Sequence, residues 1–286
     1  MRLILLLFFG LVLTSVSFGQ FNNTEHEFIR YLLQTKQQEE AIFILKQKLL
    51  ASRRLSERDS INFLIGKTHY SNQKLEEATF YLHQVGNTNV LLQDQSVFLY
   101  AYSKAFLNDY VEAYNALSGY ALQEPSLISL KTFELSGVAL LSKNFNAFDS
   151  LQQNFNSDRL EVKQRQENFM VYRRDLQKLK TRSPFIAATL SGIIPGLGRV
   201  YGGKKATGIY SFIAGSLLGL QVYEAYRKDG INSPRFIIYG TLFSAFYIGN
   251  VWGSALSVKI SRNEKEEAIR HQVLVDMHIP LRAVFQ

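Results

Sequence analysis

The 286 residues contain no cysteine, only five prolines, three methionines and one tryptophan. Without cysteine there is no disulfide framework, no lipid-modified cysteine and no zinc–thiolate site. The five histidines, His26, His69, His83, His271 and His278, form no H-E-x-x-H pair, and no G-x-S-x-G elbow occurs. Gly198 to Lys205 nearly spells a phosphate-binding loop. Lys205 stands where a magnesium-binding Ser or Thr is needed, and no buried strand precedes it. The sequence therefore gives no catalytic, cofactor or metal residue, and it is read as non-enzymatic. Charge is also absent over two long stretches. Residues 206–223 are 18 uncharged residues between Lys205 and Glu224, and residues 236–258 are 23 between Arg235 and Lys259. Each is long enough to cross a hydrocarbon core as a helix.

What charge there is lies unevenly. Residues 20–158 carry 12 Lys+Arg against 15 Asp+Glu, and residues 159–286 carry 19 against 9. The basic excess sits beside the apolar segments, which fits anionic lipid headgroups and not nucleic acid. The N-terminus has the pattern of an export signal: Arg2, an apolar run over residues 3–16, then Ser17-Phe18-Gly19. Cleavage is expected before Gln20, leaving residues 1–19 as a signal peptide. An uncleaved anchor is the other reading.

Four blocks recur in the following 139 residues: Glu40-Ala41 with Leu45, Glu77-Ala78 with Leu82, Glu112-Ala113 with Leu117, and Asn146-Ala147 with Leu151. The alanines are 37, 35 and 34 residues apart. An i, i+4 pair lies on one helix face, so each block predicts one buried stripe where small Ala admits a neighbouring helix and Leu fills the layer. Phe63-Leu64-Ile65-Gly66 and Phe98-Leu99-Tyr100-Ala101 mark a second helix upstream of two of them. A helix–turn–helix repeat near 34 residues resembles the tetratricopeptide (TPR) family. Gly66, Tyr70 and Ala78 match its Gly, aromatic and Ala positions, while Ile29, Ala101 and Leu135 replace the glycine in other repeats. The resemblance covers residues 24–156. It implies a TPR-like α-solenoid, residues 20–158, that binds a protein segment on its concave face. A spacer or a dimer contact is the plainer alternative.

Residues 159–182 read as a basic juxtamembrane helix, with Leu160, Phe169, Tyr172, Leu176 and Leu179 as its apolar stripe and Arg173, Arg174, Lys178, Lys180 and Arg182 crowding its end. Either it caps the solenoid at the bilayer surface or it is a solvated linker. Ser183-Pro184 stops it. The membrane domain, residues 183–258, opens with a short segment over residues 185–198 that Pro195-Gly196-Leu197-Gly198 breaks, and this is read as re-entrant or interfacial. The two long segments follow as a transmembrane helical hairpin. Gly215 and Gly219, then Gly249 and Gly253, give each segment a small-residue face for close packing, within the hairpin or with a second copy. Ordinary membrane-helix glycine content accounts for the same spacing. Ser216, Ser244, Asn250 and Ser254 are candidates for hydrogen bonds across the pair, and Asn250 is expected to face protein.

Pro195-Gly196-Leu197-Gly198, Tyr201-Gly202-Gly203-Lys204 and Asn250-Val251-Trp252-Gly253-Ser254-Ala255 together resemble uncharacterised bacterial membrane domains, loosely like the two-transmembrane-helix domain family. Arg199 and Trp252 stand where that family usually has Gln and Tyr. The resemblance implies a membrane domain of unassigned activity over residues 183–260. A tail, residues 259–286, begins as a charged helix and turns mostly apolar after Gln272, with Pro280 inside. The whole is expected to be all-α and to sit in a bacterial inner membrane with the repeats in the periplasm, crossing two or three times. Its expected work is to hold a protein partner at the cell envelope. The alternative is assembly or insertion of other membrane proteins through the glycine-rich domain.

Overall fold

The computed structural model describes residues 23–122, 124–156, 160–179 and 182–285. The expected signal peptide and its cleavage site lie outside the described residues. Among the described residues there are thirteen α-helices, two single 3-10 turns and no strand. They divide into two compact units, one of residues up to 157 together with 277–286, the other of residues 158–276.

The first unit contains α1 (Asn23–Gln34), α2 (Gln38–Ala51), α3 (Leu55–Ser71), α4 (Leu75–Leu82), α5 (Val90–Phe106), α6 (Tyr110–Ser118), α7 (Ile128–Leu141) and α8 (Phe145–Leu151). Each helix packs on the next, and the long helices α3, α5 and α7 also touch one another in succession. Four turns set the repeat. Lys36, Gln73, Asn108 and Lys143 all have φ between 58° and 67°, in the left-handed region. They are spaced 37, 35 and 35 residues apart. The next amide reaches back five residues each time: Gln37 to Leu32, Lys74 to His69, Asp109 to Lys104 and Asn144 to Ala139, at 2.9–3.0 Å. This is the Schellman cap, which satisfies carbonyls a helix end leaves free. No glycine occupies any of the four positions, so each turn carries on the order of 1 kcal/mol of backbone strain.

Counting from these turns exposes the true register. Five residues after each stand Ala41, Ala78, Ala113 and Phe148, all fully buried. The fourth block is thus shifted by one: Ala147 and Leu151 are only half-buried, and Phe148 takes the inward place. Leu45, Leu82 and Leu117 lie buried one turn further on. The same count puts Ser136, not Leu135, level with Gly66 and Ala101. At Gly66 a β-carbon would lie 2.7 Å from Leu82 Cγ, so the missing side chain is what lets α3 and α4 close. Ten residues before the turns stand Phe63, Phe98 and Phe133, each at most 2% exposed. Asn89, Asp109 and Asn144 cap the helices that follow them, each accepting a backbone N–H with its side chain.

The second unit contains α9 (Leu160–Leu179), α10 (Pro184–Ile193), α11 (Leu197–Tyr201), α12 (Lys205–Asp229) and most of α13 (Pro234–Phe285). Pro184 and Pro234 each stand at the first helical position, where a missing N–H costs nothing. α9 buries Val162, Phe169, Leu176 and Leu179. It is tied to α13 through Asp276, whose Oδ2 accepts from Asn168 Nδ2 and Tyr172 Oη, both at 2.9 Å, with Arg165 Nε 3.7 Å from Oδ1. By length and hydropathy, α13 is the one described helix apolar enough to cross a membrane. α12 is continuous through the second expected span without meeting that measure. The tail expected to begin at residue 259 is no separate element, because α13 runs through that boundary unbroken for 52 residues. Pro280 lies within it and cannot donate to the carbonyl of Asp276, four residues back. That carbonyl belongs to the last residue of the second unit; from Met277 on, the helix belongs to the first.

Candidate functional site

Small and polar residues form the interior where α10, α11, α12 and the first half of α13 meet. α10 and α11 fold against each other so tightly that a β-carbon at Gly198 would sit 1.8 Å from the Ala187 carbonyl oxygen. Gly196, at φ +87°, crosses α12 where a β-carbon would lie 2.0 Å from the Gly208 carbonyl oxygen. A β-carbon at Gly215 would lie 3.1 Å from Pro195 Cβ, one at Gly202 3.0 Å from Ser257 Oγ, and one at Gly203, where φ is +94°, 2.7 Å from Arg182 Nη1. Tyr201 Oη accepts the Ser183 amide at 3.2 Å. The two expected glycine faces do not meet each other. Gly215 and Gly219 face the rings of Phe246 and Phe243 from α13, which would be 3.4 and 3.5 Å from a β-carbon there. A β-carbon at Gly253 would lie 2.8 Å from Arg199 Nη2, and one at Gly249 would meet open space.

Polar groups line this interior. Ser191 Oγ and Ser254 Oγ are 2.6 Å apart, and Ser191 Oγ also accepts the Gly198 amide at 2.9 Å. Asn250 is 2% exposed, and neither of its side-chain polar atoms has a partner in the protein. Ser216 and Ser244 point outward with Ile209, Phe212, Ile213, Leu217, Ile238, Leu242, Ile248 and Trp252. Ser191 lies 63 residues from its partner and carries no signal in the sequence that would single it out.

The first unit brings together a site the sequence did not announce. The end of α13 lies across α3, α5 and α7. On α7, Gly137 makes room for Met277, whose Sδ would be 2.5 Å from a β-carbon there. On α5, the rings of Tyr102 and His278 are 5.3 Å apart, and those of Phe98 and Phe285 are 5.5 Å apart. On α3, Tyr70 Oη is 2.7 Å from His278 Nδ1, and Lys67 Nζ donates to the Phe285 carbonyl at 3.1 Å. Lys67, Tyr102 and Gly137 each stand six residues before their left-handed turn, so three stacked helices present one equivalent face. Met277, Leu281 and Phe285, at i, i+4 and i+8, form the stripe that meets it; they are 0%, 1% and 7% exposed. The space left among Lys67, Tyr70, Leu99, His278, Leu281 and Phe285 is about 10 Å³, too little for a comfortable water.

Burial shapes the chemistry of this face. It lowers the Lys67 ammonium and, with Arg282 nearby, the His278 imidazole below their ordinary ranges. It holds the Tyr70 and Tyr102 phenols above theirs, with the Glu134 carboxylate adding to both. Glu134 is itself 1% exposed, its pKa raised well above the usual carboxylate range by desolvation. It lies on α7 three residues before Gly137, and its Oε1 has no hydrogen-bond partner. Among the described residues no group of His, Asp and Glu could hold a metal ion. Comparison with family models, curated proteins and solved structures finds no match to this chain.

Proposed function

We propose that the chain is a membrane-anchored, non-enzymatic scaffold whose TPR-like stack holds a helical segment of a partner protein at the cell envelope. The observation that carries this reading is the face across α3, α5 and α7: a row of equivalent positions on three stacked helices, already receiving an amphipathic helix. Anchoring is supported by the inverted second unit, which hides glycine, serine and asparagine while exposing isoleucine, leucine and tryptophan. Lys178, Arg182 and Lys265 gather around one cleft of that unit, in keeping with anionic headgroups nearby. α10, with 10 residues, spans roughly 15 Å, half a hydrocarbon core, which favours α12 and α13 as the two crossings. With the export signal at residues 1–19, the stack then lies on the periplasmic side of the inner membrane and the turn around Asn232 in the cytoplasm.

The test is chemical crosslinking of the tagged full chain in intact cells, with the captured proteins identified. One or two proteins captured, and lost when residues 20–158 are deleted with the signal retained, support the scaffold. Capture unchanged by that deletion refutes it. Membrane-impermeant thiol reagent should leave Asn232→Cys unlabelled; labelling from outside would sink the two-crossing arrangement.

A second reading, assembly or insertion of other membrane proteins, draws on α10, whose Phe185 and Ile193 are 80% and 71% exposed. Phe185→Ser with Ile193→Ser should then impair envelope-protein assembly at an unchanged level of this protein. Normal assembly in that variant removes the reading.

A further inference from the structure

Residues 277–285 are the most informative ligand this protein has, because they are its own. They touch α7 through Met277, α5 through His278 and Phe285, and α3 through His278 and the Phe285 carbonyl. These contacts reach far along the chain: Tyr70 meets His278 across 208 residues and Lys67 meets Phe285 across 218. We propose that this segment is a built-in competitor. It occupies the receptor face of the stack and must leave before a partner helix of the same pattern can bind. The proposal rests on the scaffold reading and adds the partner's chemistry to it. That partner segment is an amphipathic helix with apolar residues at i, i+4 and i+8. Its last turn brings main-chain carbonyls to Lys67, where the negative end of a helix dipole is welcome.

Three features argue that the tail is an exchangeable occupant and not a fixed part of the stack. One core cluster of the stack is closed by stack residues alone: Ile29, Ile42, Leu45, Ile61 and Ile65 pack with Leu33, Ile44, Leu49, Leu64 and Tyr81. Pro280 leaves the Asp276 carbonyl without its helical amide, so the segment starts one hydrogen bond short of a regular helix. The tail is also an imperfect fit. It leaves Glu134, on the face of α7 that seats Met277, with a buried oxygen unpaired. An occupant offering a donor there has an advantage the tail lacks.

The experiment uses the full chain in lipid nanodiscs and a fluorescent peptide of residues 270–286. The wild type should bind it weakly, because the tethered tail competes. Met277→Asp with Leu281→Asp, which expels the tail, should bind it at least tenfold more tightly. Adding Gly137→Leu, which fills the Met277 seat, should abolish that gain. A double variant that binds no better than wild type overturns the proposal, as does one that has lost the helical signal of the stack. As a route that leaves the native segment intact, a protease site at exposed His271-Gln272 cuts α13 after folding. The released segment should exchange with added peptide within minutes; a segment that stays bound against excess peptide overturns the proposal. Concentration-dependent dimers of the uncut wild type, linked tail to face, would assign the face to a second copy and also overturn it. Peptide exchange without any partner captured in cells would keep this device and remove the scaffold reading, so the two failures are distinct.

Discussion

The two units are built from the same element and hide opposite things. The stack buries Phe63, Phe98, Phe133 and Leu45 and keeps its charges outside except at Asp59, Asp94 and Glu134. The second unit buries Gly208, Gly215, Ser191, Ser254 and Asn250 and turns Ile213, Leu217, Ile248 and Trp252 outward. In the stack the contact surface is made by large side chains filling space. Among α10, α11, α12 and the first half of α13 it is made by backbones brought together where side chains are missing, while α9 and the second half of α13 bury large side chains as the stack does. The difference teaches that a helix names its solvent by what it conceals, and that hydropathy along the chain is a weaker guide. α12 fails a simple hydropathy measure, yet it exposes Ile209, Phe212, Ile213, Leu217 and Leu220.

The comparison breaks most sharply at glycine. Gly198→Ala puts a methyl into the Ala187 carbonyl, so α10 and α11 must separate. The expected loss is above about 4 kcal/mol, seen as protease-sensitive protein that no longer inserts. Gly249→Ala meets nothing within 4 Å and should change stability by less than about 0.5 kcal/mol. Equal behaviour of the two would end the view that close backbone crossings hold this unit together.

Truncating a core side chain sharpens the contrast from the other direction. Phe133→Ala should cost the stack about 3–5 kcal/mol in chemical denaturation, because the site is closed on all sides. Asn250→Leu should instead leave the second unit unchanged or stabilise it by about 1–3 kcal/mol, because it removes a buried amide whose two polar atoms have no partner. A large loss from Asn250→Leu would mean that the amide has a bound partner in the membrane.

A further contrast within the stack is pH-dependent. Glu134 keeps its proton in the folded stack to a higher pH than in the unfolded chain. Folding is therefore favoured below the ordinary carboxylate range and loses support as pH rises towards the raised value, at roughly 1 kcal/mol per pH unit. Glu134→Gln escapes this, so its advantage over the wild type should be slight at pH 5 and clear at pH 7.5. Parallel stability curves over that range would show that the carboxyl is not desolvated in solution.

Much of the stack was legible because its period is local. The Ala-x-x-x-Leu blocks found three of the four inward stripes. They missed the fourth by one residue, since Ala147 and Leu151 copy the spacing while the turn at Lys143 sets the register. Phe63, Phe98 and Phe133, at two equal intervals of 35, carry the register better than alanine does, and Phe133 went unread. Both apolar stretches and the break at Pro195 were visible in composition alone. The seat of the tail was not. Its partners are some two hundred residues away, Gly137 gives no hint of why it is small, and a proline inside an apolar run reads as a loop.

That separation in sequence has a consequence in time. The stack's contacts run between neighbouring helices, so it can fold as it emerges, one pair after another. The segment that fills its face is made last. At 5–20 residues per second, the intervening hundred-odd residues take on the order of ten seconds to synthesise. During that interval every newborn copy carries the face of α3, α5 and α7 uncovered.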